Sequence, residues 1–147
     1  MSQKTVREIY ELHKDKTPKK KKVEIKSDWE LYLEQKNKKP SKMRNKWVVI
    51  DGIKFQSTGE GYYYLELKDR LLRGQIKGFK RQVWFKLEVN GIEITNYVAD
   101  FVVENFGGTF EIIDHKSVFT AKLDVFRMKK ALMMACYGIL IKEVGKK

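Results

Sequence analysis

The run Tyr97-Val98-Ala99-Asp100-Phe101-Val102-Val103, the turn residues Gly107-Gly108 and the run Thr109-Phe110-Glu111-Ile112-Ile113-Asp114-His115-Lys116 decide how this sequence is read. Each apolar run is interrupted by an acid, and the second ends in Asp-x-Lys. Successive side chains of a strand point to opposite faces. Asp114 and Lys116 therefore share one face, while Glu111, Ile113 and His115 take the other. Paired across the Gly-Gly turn, the two runs place Asp100 beside Asp114. Two carboxylates and an ammonium then converge among apolar neighbours, where unpaired charge is costly. A hard divalent cation with oxygen ligands suits such a cluster.

Asn90-Gly91 is the strongest hairpin signal in the chain. It joins a strand expected over Val83 to Val89 to a longer one over Ile92 to Val103. The run from Thr109 to Lys116 makes a third antiparallel strand, and Gln75 to Lys80 reads as a connector. Upstream, Trp47 to Ile50 and Ile53 to Phe55 flank the tight-turn pair Asp51-Gly52. Ser57 and Glu60 have capping-box spacing. Tyr63, Tyr64, Leu67, Leu71 and Leu72 then give a helical apolar face, ended by Gly74. Glu60 has two readings at this point, a helix cap or a carboxylate that helps hold a metal or a water. Downstream, Val118 to Tyr137 has helical length and period, with Leu123, Phe126, Met133 and Cys136 or Tyr137 as its buried stripe. Gly138 ends it, and Ile139 to Val144 forms a last strand, parallel to the third.

The chain has 147 residues, 42% of them hydrophobic, a formal net charge of +12 and a pI near 9.7. This bounds it to one domain with an appendage and predicts an anionic partner. Residues 1–46 carry 15 Lys and Arg against 7 Asp and Glu, so the excess of charge concentrates there. We read them as a basic, partly helical arm, with a short helix from Thr5 to His13 and another from Asp28 to Gln35. Lys19, Lys20, Lys21 and Lys22 are placed to meet phosphates, as are Lys122, Arg127 and Lys129 on the later helix. Residues 47–147 form the core. The lone cysteine, Cys136, excludes an intrachain disulfide and a cysteine zinc cluster, and reads as a core thiol. No run approaches the ~18 apolar residues of a membrane span, and no apolar leader opens the chain, so a cytoplasmic protein is expected.

The core order helix, three-strand meander, helix, strand resembles the PD-(D/E)XK nuclease superfamily. Within it, the closer likeness is to a small phage and prophage family of candidate endonucleases of unknown function. The likeness is carried by Phe55 to Leu67 (F-Q-S-T-G-E-G-Y-Y-Y-L-E-L), Arg81 to Leu87 (R-Q-V-W-F-K-L), Tyr97 to Val103 and Ile112 to Ser117. It spans about Trp47 to Val144. Ala99 stands where the superfamily has its proline, and Ser117 where a glycine is expected; neither removes a catalytic group. The implied fold is α/β with a mixed sheet, a restriction-endonuclease-like core of order α-β-β-β-α-β. The resemblance implies that Asp100 and Asp114 hold Mg²⁺, for which Mn²⁺ can substitute, with the Ile113 carbonyl nearby. It implies that Lys116 stands by the attacking water and the phosphate, and that Glu60 holds a metal-bound water or a second ion. Gln82 matches a polar position beside such sites. His115 and Glu111 have the wrong parity, and His13 has no evident partner.

The expected activity is metal-dependent hydrolysis of DNA phosphodiesters, with branched DNA favoured and a homodimer needed for symmetric cutting. A catalytically inactive nucleic-acid-binding module and a basic protein-interaction module are the alternatives. The second differs from a phosphate binder in lacking a steep salt dependence on DNA.

Overall fold

Val83, Phe85 and Leu87 on one strand and Tyr97 and Ala99 on the next are buried at every second position, and this alternation brings the two longest strands together. The computed structural model describes residues 3–15, 29 and 46–145. Its elements are α1 (Val6–Leu12), β1 (Val48–Ile50), β2 (Ile53–Phe55), α2 (Thr58–Leu72), β3 (Gly78–Val89), β4 (Ile92–Glu104), β5 (Phe110–His115), α3 (Val118–Ala121), α4 (Asp124–Tyr137) and β6 (Ile141–Val144). β1 and β2 form a small hairpin, and β3-β4-β5-β6 form a four-stranded sheet. The first three strands of that sheet are antiparallel and β6 runs parallel to β5, so the fold is mixed α/β. The turn pairs Asp51-Gly52 and Asn90-Gly91 have positive φ at both residues, as a two-residue turn matching strand twist requires.

Two cores cover opposite faces of the sheet. Tyr10 of α1 and Phe126 and Met133 of α4 pack with Val83, Phe85, Leu87, Tyr97, Val102 and Ile112. Tyr64 and Leu67 of α2 pack with Phe55, Phe101, Val103 and Ile113. The odd-numbered residues Tyr97 and Ala99 thus face α4, whereas Phe101 and Val103 face α2. β3 makes the same change, with Phe79 on the α2 side and Val83 on the α4 side. Shifting a strand by one residue exchanges its faces, and here both strands shift together. The paired register runs through Arg81↔Phe101 and Val83↔Ala99 but omits Gln82 and Asp100, and Gln82 has φ 50°.

That shift corrects one boundary. β3 begins at Gly78, and Gly78, Phe79 and Lys80, expected in a connector, pair with Glu104, Val103 and Val102. Alternation holds on each side of Gln82 but changes phase across it, which hides the first part of the strand. The single helix expected over Val118 to Tyr137 is two, because Leu123 adopts an extended conformation (φ −65°, ψ 133°) before α4. Leu123, expected in the buried stripe, is 44% exposed, and Leu71 and Leu72 lie on the open side of α2. The last strand starts at Ile141 rather than Ile139. Gly74 (φ 68°) and Gly138 (φ 66°) follow α2 and α4, as expected of helix-ending glycines.

The helix anticipated within the arm lies against the sheet instead of standing apart. Thr5 and Glu8 form a reciprocal capping box at the start of α1, and Tyr10 is buried in the α4-side core. Lys80 Nζ donates to the carbonyls of Tyr10 (2.5 Å) and His13 (2.9 Å) and sits 4.5 Å from the Tyr10 ring centroid. His13, which had no evident partner in the sequence, bonds through Nε2 to the Arg81 carbonyl at 2.8 Å. The helix expected over Asp28 to Gln35, the Lys19–Lys22 run and the linker from Lys36 to Asn45 lie outside the described residues, except for Trp29. Among the described residues, no helix is long and apolar enough to cross a membrane.

Candidate active site

β4 and β5 pair from Glu104↔Phe110 to Phe101↔Ile113. Asp100 stands immediately beyond the last pair and fills the opening with its side chain. Its Oδ2 accepts the His115 N–H at 2.8 Å. This bond satisfies a strand donor that has lost its ladder partner, and it fixes Asp100 next to the residue that precedes His115.

That residue is Asp114, only 1% exposed. The Tyr97 hydroxyl donates to its Oδ2 at 3.0 Å. Lys116 Nζ lies 3.0 Å from Oδ1, but that atom accepts no well-aligned hydrogen bond. The contact is an ion pair that leaves a buried oxygen with bonding capacity. The Asp100 carboxyl is within hydrogen-bonding reach of Asp114. Burial first, and the neighbouring Asp100 second, raise the pKa of Asp114 well above the usual carboxylate range, against the opposing pull of Lys116.

Glu60 enters from the opposite face. It lies in the first turn of α2, is 7% exposed, and gives its backbone N–H to Ser57 Oγ at 3.2 Å. The cap reading of Ser57 is correct, but the reciprocal bond of a capping box is not formed. The carboxylate instead lies by the Gln56 backbone and accepts from Gln82 Nε2 at 3.4 Å. Burial raises its pKa, and the positive charge of Arg81 opposes that. Gln82 Nε2 is also 3.4 Å from Asp100 Oδ1, so one amide spans the two acids. The structure therefore gathers Glu60, Gln82, Asp100, Asp114 and Lys116 in one place. Ile113 is fully buried in the α2-side core, which leaves only its backbone for the role implied for it.

Several neighbours were not singled out from the sequence. Tyr97 holds Asp114. The Phe126 ring lies 5.1 Å from Lys116 Nζ and 5.3 Å from Lys130 Nζ, close enough for cation–π attraction to both. Lys130 in turn meets Glu143 Oε1 at 2.5 Å, and Glu143 is the register partner of Asp114 on β6. Only the parallel β5–β6 register discloses that neighbour, and no local motif does. His115, as its parity suggested, packs. Its ring occupies a slot between Gly59 and Gly145, where a Cβ added to either glycine would collide with Nε2. Burial lowers its pKa, favouring the neutral ring. Lys122 and Arg127 are exposed and Lys129 is half-buried, and Arg127 lies 3.4 Å from Asp124. They are on α4 and the bend between α3 and α4, outside the acid cluster.

Among the described residues, no three Asp, Glu, His or Cys side chains stand close enough together to cage a metal ion. Two carboxylates do stand together: Asp100 takes His115 N–H on one oxygen and the long contact from Gln82 on the other, while Asp114 takes Tyr97 on Oδ2 and keeps Oδ1 without a hydrogen bond beside Lys116. That donor set fits a hard cation that keeps most of its waters.

No curated protein and no solved structure matches the chain. Residues 40–143 match a family described as "Protein of unknown function (DUF1064)". That span includes β1 through most of β6 and every residue of the acid cluster, and the chain belongs to this DUF1064 family.

Proposed function

We propose that the protein is a divalent-metal-dependent DNA endonuclease with a restriction-endonuclease-like core of the PD-(D/E)XK type. One observation carries the reading: Asp100 and Asp114 meet where β4 and β5 part, with Lys116 Nζ 3.0 Å from Asp114 Oδ1. The acids occur on adjacent strands and the lysine directly after the second, in the order that this chemistry uses. Asp100 and Asp114 would hold the cation, Mg²⁺ or Mn²⁺, through oxygens not committed to His115 N–H and Tyr97. Such an ion, when bound, would lower the pKa of a coordinated water and offset phosphate charge. Lys116 leaves Asp114 for the phosphate and offsets the charge that develops there. Glu60, raised in pKa by burial and steadied by Gln82, orients a water. Tyr97 keeps the Asp114 carboxyl from turning.

The formal net charge of +12 supports a DNA partner, and contacts from Lys and Arg to phosphates favour branched or duplex shape over base sequence. One site cuts one strand, so paired cuts require a homodimer. A second reading, a nucleic-acid-binding module without catalysis, draws on the lack of a three-ligand cage among the described residues.

Labelled linear duplex, single strand, flap and four-way junction, each with Mg²⁺, Mn²⁺ or EDTA, separate the two. Metal-dependent cutting by the wild type, lost in Asp114→Asn, is the expected result. Salt-sensitive binding without cutting under both metals leaves the binding module in place of the enzyme.

A further inference from the structure

Around the sheet, half-buried cationic heads meet oxygens. Arg70 lies 3.9 Å from Glu111, Lys80 donates to two carbonyls, Lys116 pairs with Asp114 and Lys130 with Glu143. Arg81 differs. Its guanidinium has no hydrogen bond and no ion pair among the described residues, and its Nε is buried without a partner. The head lies over the Phe55 ring, 4.7 Å from centroid to Cζ, beside Glu60 and next in sequence to Gln82.

The backbone is arranged to hold that head there. Arg81 N–H donates to Asp15 Oδ1 at 3.1 Å, and its carbonyl accepts from His13 Nε2 at 2.8 Å. The next residue, Gln82, has φ 50°, a conformation that a residue with a Cβ rarely adopts. This turn is what puts Arg81 on the α2 side, against Phe55, while Val83 faces α4. Burying an unsatisfied guanidinium N–H is unfavourable, and a left-handed Gln82 adds strain. No oxygen of the described residues accepts a hydrogen bond from Nε, and the Glu60 carboxylate offers only charge attraction without contact. The planar guanidinium fork fits a phosphate in two-point contact.

We propose that Arg81 is a substrate-binding residue that receives a backbone phosphate of the nucleic acid beside the scissile one. The inference rests on the nuclease reading, since that reading supplies the polyanion and the neighbouring reaction centre. It adds a contact outside the acid cluster. α1 assists indirectly, because His13 and Asp15 at its end clamp the Arg81 backbone.

The test is binding of a fluorescein-labelled 20-base-pair duplex by fluorescence anisotropy, in EDTA, from 50 to 300 mM NaCl, with the full chain. Wild type, Arg81→Gln and Arg81→Lys are compared, each checked for its thermal unfolding midpoint. The expected result is about tenfold or more weaker binding for Arg81→Gln at the lowest salt. The slope of log affinity against log salt should also fall in magnitude by about 0.9, the share of one phosphate. Arg81→Lys should restore the slope while leaving affinity reduced, because an ammonium keeps the charge but not the fork. Wild-type affinity and slope in Arg81→Gln, in a protein that binds and cuts DNA, overturn the assignment of Arg81 alone. A wild type that shows no salt-dependent binding overturns the assignment and the nuclease reading together. A lowered unfolding midpoint with an unchanged slope overturns it in favour of a purely structural arginine.

Discussion

The molecule contains the same three side chains assembled twice. At Asp51, Oδ2 accepts from the Tyr64 hydroxyl at 3.1 Å and from Lys68 Nζ at 2.5 Å. At Asp114, Oδ2 accepts from the Tyr97 hydroxyl at 3.0 Å, and Lys116 Nζ stands 3.0 Å from Oδ1. Yet the pKa of Asp51 is lowered, chiefly by its hydrogen bonds from Lys68 and Tyr64, whereas that of Asp114 is raised. Identical partners give opposite shifts because Asp51 lies in an exposed turn and Asp114 is buried beside a second carboxylate. A tyrosine and a lysine near an aspartate are therefore not a site in themselves. Burial and a neighbouring acid turn the arrangement from surface pairing into a place with unmet demand for positive charge.

The largest contrast is expected in activity. Asp114→Asn should lower metal-dependent cleavage about a thousandfold or more, the scale of losing an electrostatic anchor in a dry site. Asp51→Asn should leave it within about twofold, both read by gel assay on the preferred DNA. Equal losses would remove the distinction between the two trios.

Next in size is the wall behind Asp114. Gly59→Ala drives a methyl group into the His115 ring. It should cost about 1–3 kcal/mol of stability in urea unfolding, the usual range for overpacking. Adding His115→Ala should recover part of that, and no recovery would mean the ring is not the obstacle. Tyr97→Phe comes third. Losing the buried hydroxyl should cost about 1–3 kcal/mol and roughly tenfold in cleavage, as for residues that orient a metal ligand. Tyr64→Phe should do less on both counts.

The smallest effect is a pH trend in EDTA. Asp114 has a folded-state pKa above its unfolded value, so above pH ~4 the folded state binds more protons than the unfolded one. The stability of the wild type should therefore decline on this account as pH rises toward neutrality. Asn has no such titration, so the advantage of Asp114→Asn should grow over that range to about 1 kcal/mol or more, one pKa unit being worth about that. A difference that shrinks with rising pH would contradict the burial argument.

Much of this arrangement was legible in the sequence because it is local. Asn90-Gly91, the alternation on both sides of it, and the Ser57 cap each depend on a few neighbouring residues. Asp114 and Lys116 follow from strand parity alone. The missing parts depend on positions far apart or on exceptions to a period. The phase change at Gln82 and Asp100 breaks the alternation without a glycine or proline to mark it. The bend at Leu123 likewise has no such marker. Glu143 reaches Asp114 only through the parallel register, and Arg81 gains its interest from the absence of a partner among the described residues, which no sequence pattern states. Leu71, Leu72 and Leu123 share a helical period with buried residues but lie on exposed faces.

The slot around His115 also orders events in time. Its two walls come from Gly59, at the start of α2, and from Gly145, just after β6. β5 pairs with β6 through Ile112↔Ile141 to His115↔Val144, and the N–H of Lys116 bonds to the Val144 carbonyl at 3.0 Å. During synthesis Asp100, Asp114 and Lys116 leave the ribosome before the segment that fixes their far side. The growing chain thus carries the acids and the lysine of the cluster while still lacking the support that aligns them, and on the proposed function a nascent chain stalled before Ile141 should be inert toward nearby nucleic acid. Cleavage by such a stalled complex would show that the alignment arises without β6.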